Sequence, residues 1–158
     1  MKLKSFLKLI AFIGVCELAG IIGSVFTSSS VKTWYAGLAK PILNPPNWIF
    51  APVWTILFAL MGIAVFLVFE KGGDRKEVKE SLGIFAVQLS LNIFWSFLFF
   101  GLQSPGTAFI EIIFLWFAIA VTIISFAKIS KQAAWLMTPY ILWVSFAGYL
   151  NFAVWLIN

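Results

Sequence analysis

Residues 34–54 read WYAGLAKPILNPPNWIFAPVW, and long apolar stretches lie on both sides of this segment. It contains four prolines, which fix φ and donate no backbone hydrogen bond: Pro41, Pro45, Pro46 and Pro52. The segment is therefore too irregular for one helix, and we expect a stiff, extended loop. Its aromatic residues include Trp34, Tyr35, Trp48 and Trp54. A stiff loop with these side chains suggests a lid over a flat, apolar space.

The composition of the whole chain is that of a membrane protein. Hydrophobic residues make up 62% of the 158 residues and charged residues only 11%, against roughly 25% charged residues in soluble domains. A helix needs about 20 mainly apolar residues to cross the hydrocarbon core. Five stretches qualify: 5–27, 48–69, 81–101, 106–127 and 134–156. The sequence therefore predicts an all-α integral membrane protein, a single bundle of five transmembrane helices in one domain, residues 1–158.

The net charge of +5 is unevenly distributed between the two ends of such a bundle. Nine of the eleven basic residues fall at one end: Lys2, Lys4, Lys8, Lys71, Arg75, Lys76, Lys79, Lys128 and Lys131. Cytoplasmic loops carry the excess of Lys and Arg, so the N-terminus is predicted to be cytoplasmic and the C-terminus outside. The outer loop, residues 28–47, then faces outward. This charge is explained by topology, and we expect no nucleic-acid partner.

Two absences limit the chemistry. The chain has no histidine and a single cysteine, Cys16. The commonest haem ligand, zinc ligand and general base are therefore missing, and no disulfide framework can form. We predict no metal site, which argues against a metalloenzyme or a hydrolase.

Polar and aromatic residues share helix faces within the predicted spans. The third span carries Gln88, Asn92, Trp95 and Phe99 on one face, and the fifth carries Tyr140, Trp143, Ala147 and Asn151. In the second span, Trp54, Phe58 and Met61 have the same spacing. Polar groups are costly in lipid, so these faces should point inward and line a mainly aromatic cavity. The amides have an alternative role in joining helices. Glu17 is predicted to be protonated or hydrogen-bonded, and Glu111 to snorkel or cap.

Four motifs on these segments together resemble one family. They are WY-x2-L-x2-P-x3-PPxW, PVW-x2-LF-x2-MG, QLxLNxxW-x3-FFG and PYxxW-x2-FA-x2-LN. The match of which they are part runs from about Ala19 to Trp155. In order and spacing they are similar to the TspO/MBR family, the translocator protein or peripheral benzodiazepine receptor group. The resemblance implies five transmembrane helices, a homodimer in the lipid bilayer of a bacterial cell, and a pocket closed by the outer loop.

The resemblance also implies a ligand and the residues that bind it. Family members bind porphyrins and other tetrapyrroles, so porphyrin or haem is expected as a ligand and no cofactor is required. The positions that correspond to the family's pocket are Ser24, Tyr35, Phe50, Ala51, Trp54, Asn92, Trp95, Trp143, Ala147 and Leu150. Phe58 joins them because it shares the face of Trp54. Trp54 and Trp143 match the tryptophans implicated in porphyrin chemistry, and Lys40 is a candidate partner for a propionate.

Three functions follow from this resemblance. The first is a receptor, sensor or carrier that binds a tetrapyrrole in the aromatic pocket. The alternative is a light-dependent porphyrin-degrading enzyme in which Trp54 and Trp143 are catalytic. The third, less favoured, is a transporter of small hydrophobic solutes or sterols. Steroid transport is not expected, because Phe152 stands where the animal sterol motif has tyrosine and no basic residue follows it up to Asn158.

Overall fold

The structure is a computed structural model that describes residues 3–158. Its helices are α1 (Leu3–Ser30), α2 (Trp34–Gly37), α3 (Phe50–Phe69), α4 (Lys76–Ser96), α5 (Pro105–Ile129) and α6 (Lys131–Ile157). A 3-10 turn, Asn47–Ile49, precedes α3, and a π-helical turn, Phe97–Gly101, extends α4. Within residues 3–158, five helices are long and apolar enough to cross a membrane, which confirms the predicted fold class.

The five long helices close into a ring. α1 packs against α3, α3 against α6, α6 against α5, α5 against α4, and α4 against α1. Large apolar side chains such as Leu7, Ile21, Phe114 and Leu142 are exposed on the outside of this ring. In lipid these side chains are solvated by hydrocarbon, while each helix satisfies its own backbone. The inward faces of α3, α4 and α6 therefore meet at the centre of the bundle.

Several of the predicted spans are shorter than the helices of the structure. α1 continues to Ser30, α4 begins at Lys76 rather than residue 81, and α6 begins at Lys131 rather than residue 134. Spans that are predicted from apolar residues alone leave out a first turn made of polar residues, although polar residues are favourable at the start of a helix. Glu77 lies in the first turn of α4, where a negative charge is favourable, and Ser130 Oγ accepts a 3.3 Å hydrogen bond from the Ala133 amide.

The sequence predicts a stiff, extended outer loop, but part of this loop is helical. Its first three residues belong to α1, and Trp34–Gly37 forms one helical turn. The backbone becomes extended at Leu38, where φ is −72° and ψ is 144°, before the first of the prolines. Pro52 lies in the first turn of α3, where a missing N–H costs nothing.

The π-helical turn directs side chains at the outer end of α4. The Leu102 amide donates to the Phe97 carbonyl at 2.8 Å, and the Ser30 hydroxyl donates to the Phe100 carbonyl at 2.6 Å. Such turns insert one extra residue and shift the side chains that follow. Here the turn buries Phe99 beneath the outer loop.

Candidate functional site

An aromatic wall joins α3 to α6 at the centre of the bundle. The Trp54 ring centroid lies 5.6 Å from that of Phe58 and 6.3 Å from that of Tyr140. Phe50, one turn before Trp54, lies 6.0 Å from Trp143. Edge-to-face and tilted contacts at these distances are favourable. The structure thus brings four of the sequence-predicted ligand residues into one group.

Asn92 and Tyr140 form a buried polar pair beside this wall. Asn92 Nδ2 donates to the Tyr140 hydroxyl across 2.9 Å, and both residues are buried. Tyr140 shares a helix face with Trp143 but was not among the predicted ligand residues. Its spacing along α6 was the signal that could have placed it there. One N–H of the Asn92 side chain therefore already has an acceptor inside the protein.

A second polar chain anchors Trp95. Its indole Nε1 donates to Asn151 Oδ1 at 2.9 Å, and Asn151 Nδ2 donates to the Pro105 carbonyl at 2.7 Å. The Trp95 ring stacks on Phe99, with centroids 5.2 Å apart. The side-chain amide of Asn151 therefore joins α6 to α4 and α5, which is the alternative role that the sequence left open for the amides.

Trp143 differs from Trp95 in lacking an acceptor. Its Nε1 is buried and has no hydrogen-bond partner within residues 3–158. Gln88 Oε1 and both carboxyl oxygens of Glu111 are also buried there without a partner. Glu111 was predicted to snorkel or cap, but only 6% of it is exposed, because it lies on the inner face of α5. Glu17 is half-buried on α1.

The outer loop covers one end of this site through Tyr35. The Tyr35 ring lies 6.2 Å from Phe99 and 5.6 Å from Phe100, and its hydroxyl donates to Asn44 Oδ1 at 3.0 Å. Trp34 adds an edge-to-face contact with Phe99 at 5.7 Å. Burial raises the pKa of the Tyr35 hydroxyl above its ordinary value. The hydroxyl is therefore neutral at pH 7 and donates its proton within the loop.

Lys40 is held by the loop itself. Its Nζ donates to the carbonyls of Ala36 at 3.3 Å and Leu38 at 3.1 Å, and lies 4.8 Å from the centroid of the Tyr35 ring. Pairing with a propionate, as the sequence suggested, requires the ammonium to leave these carbonyls.

The remaining predicted ligand residues are divided between the interior and the surface. Phe58, Ala147 and Leu150 are buried. Ser24 and Ala51 are exposed, and the Ser24 hydroxyl donates to the Ile21 carbonyl of its own helix at 2.7 Å.

Two apolar grooves lie on the outer surface of the bundle. One, of about 300 Å³, lies between α5 and α6 and includes Trp116 and Ser145; the other, of about 550 Å³, runs along α4 beside Val87 and Phe94. Neither is lined by a predicted ligand residue. Trp54, Trp95 and Trp143 are half-buried and pack against the core, so a planar ligand reaches their buried faces only when neighbouring side chains or the outer loop move.

Within residues 3–158, no three His, Cys, Asp or Glu side chains come together as a metal-binding group. The donors that the site offers are indole and amide N–H groups and the hydroxyls of Tyr35 and Tyr140. These groups suit hydrogen bonding to oxygen acceptors on a ligand.

Comparison with known proteins identifies the family. The model of the TspO/MBR family matches residues 12–156. The chain belongs to the TspO/MBR family. It is 46% identical over 155 residues to the tryptophan-rich protein TspO of Chlorobaculum tepidum, covering 98% of both chains. It is also 46% identical to the tryptophan-rich protein TspO of Archaeoglobus fulgidus, covering 96% of this chain and 97% of that one. The translocator protein of Bos taurus is 39% identical over 140 residues, which are 88% of this chain and 83% of that protein.

Proposed function

We propose that this TspO/MBR membrane protein binds a porphyrin against the aromatic wall, beneath the outer loop, and acts as a receptor, sensor or carrier for it. The wall is formed by Phe50, Trp54, Phe58, Tyr140 and Trp143. A porphyrin is a flat π-system, and each aromatic pair is worth roughly 0.5–1.5 kcal/mol beyond the area it buries. Stacking supplies affinity without any metal ligand, so metal-free porphyrin should bind at least as well as haem.

The observation that carries this proposal is the unpaired indole N–H of Trp143. A buried donor without an acceptor costs about 1–3 kcal/mol, and this cost is recovered when a ligand supplies the acceptor. Protoporphyrin carries two carboxylates at the edge of an apolar ring. The Trp143 Nε1 belongs to the same aromatic wall that would contact the ring, so one ligand can satisfy both.

The test is a titration of protoporphyrin into the detergent-purified protein in the dark, followed by tryptophan fluorescence. We expect quenching that saturates as the binding site fills. Quenching that rises linearly without saturation would mean that the porphyrin only partitions into detergent, and the proposal would be wrong.

A second candidate is light-dependent degradation of the bound porphyrin. The observation that favours it is that Trp54 and Trp143, both oxidisable, lie on facing helices within one aromatic group. An indole there gives one electron to the illuminated porphyrin, and the porphyrin radical anion reacts with dioxygen, whose two atoms end in the opened ring. The electron then returns to the indole radical cation, so the net reaction is porphyrin plus dioxygen to an oxygenated, ring-opened product. Illumination after the dark titration separates the two functions, because only an enzyme bleaches the ligand faster than detergent alone.

We also propose that the N-terminal end faces the cytoplasm of a bacterial cell. Lys8 pairs with Glu70 at 3.3 Å, which places the start of α1 and the basic turn after α3 at one end of the bundle. The positive-inside rule assigns that end to the cytoplasm. Membrane-impermeant thiol labelling of an Asp74→Cys variant in whole cells tests this, since Asp74 is exposed and Cys16 is buried. Labelling without cell lysis would contradict the orientation.

A further inference from the structure

Asn158 joins the end of α6 to the middle of the outer loop. The Ala39 amide donates to Asn158 Oδ1 at 2.9 Å, and Asn158 Nδ2 donates back to the Ala39 carbonyl at 3.0 Å. One side-chain amide therefore pairs with both backbone groups of a single residue that lies 119 positions away. This is the pattern of neighbouring backbones in a sheet, here made by a side chain.

The geometry on both sides of this pair is fixed. The second N–H of Asn158 Nδ2 donates to the Val154 carbonyl at 2.9 Å, so the side chain is anchored to its own helix. On the loop side, Leu38 is extended and Pro41 follows two residues after Ala39. Ala39 therefore presents both backbone groups at the surface in a stretch with restricted freedom.

The pair is well placed to hold the loop over the site. Val154, which anchors Asn158, is buried in the same outer cluster as Tyr35 and Phe99. Tyr35 covers this cluster from the loop, and Asn44 bonds to the Tyr35 hydroxyl. The segment 34–44 is thus held at its start by ring packing and at its middle by Asn158.

We propose that Asn158 is a positioning residue that keeps the segment 34–44 closed over the outer end of the bundle, and that breaking its pair with Ala39 is a step in ligand entry and exit. The first half stands on the contacts alone. The second half rests on the proposed porphyrin site and on entry of the ligand from the outer end of the bundle, which the segment 34–44 covers.

The first half is tested by hydrogen exchange of the full-length, ligand-free protein in detergent. In Asn158→Ala, the Ala39 amide should exchange about 2- to 10-fold faster, the factor that corresponds to one hydrogen bond. Asn158→Asp keeps an acceptor for the Ala39 amide but replaces both donors with an oxygen that faces the carbonyl oxygens of Ala39 and Val154, so exchange should rise by less than in Asn158→Ala. Asn47→Ala is the matched control: Asn47 is an exposed asparagine whose side chain makes no hydrogen bond within residues 3–158. Unchanged exchange at Ala39 in both Asn158 variants would overturn the proposal.

The second half is tested by stopped-flow mixing of the same variants with protoporphyrin. Association and dissociation rates should both rise by a similar factor in Asn158→Ala, with a smaller change in Kd, whereas Asn47→Ala should match wild type. Faster exchange with unchanged porphyrin rates would show that the pair does not control entry. If wild type does not bind porphyrin, the proposed function fails, while the exchange experiment still decides the role of Asn158 in the loop.

Discussion

Trp95 on α4 and Asn151 on α6 are joined by a 2.9 Å hydrogen bond from the indole Nε1 to the side-chain oxygen. Asn151 also donates to the Pro105 carbonyl at the start of α5, so one buried amide links three helices. This link fixes the Trp95 ring against Phe99, beneath the outer loop. It also distinguishes Trp95, whose N–H is satisfied inside the protein, from Trp143, whose N–H is not.

Asn151→Leu should destabilise the bundle by about 1–3 kcal/mol, because the Trp95 N–H and the Pro105 carbonyl lose their partner. The loss is measured by unfolding in detergent. A double-mutant cycle with Trp95→Phe should give a coupling of about 0.6–1.7 kcal/mol, the range for hydrogen bonds between membrane helices. Additive effects of the two substitutions would show that the bond contributes nothing.

Gly62→Ala should weaken the packing of α1 on α3. A Cβ at Gly62 would lie 2.5 Å from the Ile13 Cα and 2.8 Å from its backbone nitrogen, and a helix backbone cannot yield as a side chain can. We expect a loss of about 1–3 kcal/mol in stability. Gly14→Ala is the control, since its Cβ would meet no atom within 4 Å. Equal stability of the two variants would contradict the close approach.

Tyr35 should titrate at a higher pH than a free tyrosine. Burial raises the pKa of its hydroxyl above 10.0. A raised pKa means that the packed loop is more stable with the Tyr35 hydroxyl neutral than with it ionised. This contribution is complete below pH 10 and is lost as the pH rises through the higher value. Carbon-13 NMR of labelled tyrosine measures this, with the signal assigned by its loss in Tyr35→Phe. A midpoint at or below 10 would show that the loop does not bury the hydroxyl.

Much of this fold could be predicted from the sequence, because helix periodicity determines which residues face inward. Gln88, Asn92 and Phe99 were placed on an inner face by spacing alone, and all three are buried. The helix ends were harder, since the polar first turn at Lys76 lies outside any apolar window. The π-helical turn has no reliable sequence signature. The pair between Asn158 and Ala39 could not be predicted, because it joins two surface residues that nothing in the local sequence relates.

If the protein degrades porphyrin in light, removal of both Trp54 and Trp143 should abolish the reaction. Bleaching of bound protoporphyrin in the double variant Trp54→Phe/Trp143→Phe should fall to the rate in detergent alone, since phenylalanine is a poor electron donor. Trp135→Phe, at an exposed position on α6, is the control and should bleach like wild type. Wild-type bleaching in the double variant would remove these residues from the chemistry.

If a porphyrin oxygen accepts the unpaired Trp143 N–H, the affinity of Trp143→Phe for porphyrin must be lower than that of wild type. Protoporphyrin should bind at least about tenfold more weakly to this variant than to wild type, the effect of losing a hydrogen bond to a charged acceptor. Etioporphyrin, which carries only alkyl groups, should lose much less affinity, and Trp135→Phe should change neither. Equal loss for the two porphyrins, or no loss for protoporphyrin, would contradict this placement of the ligand.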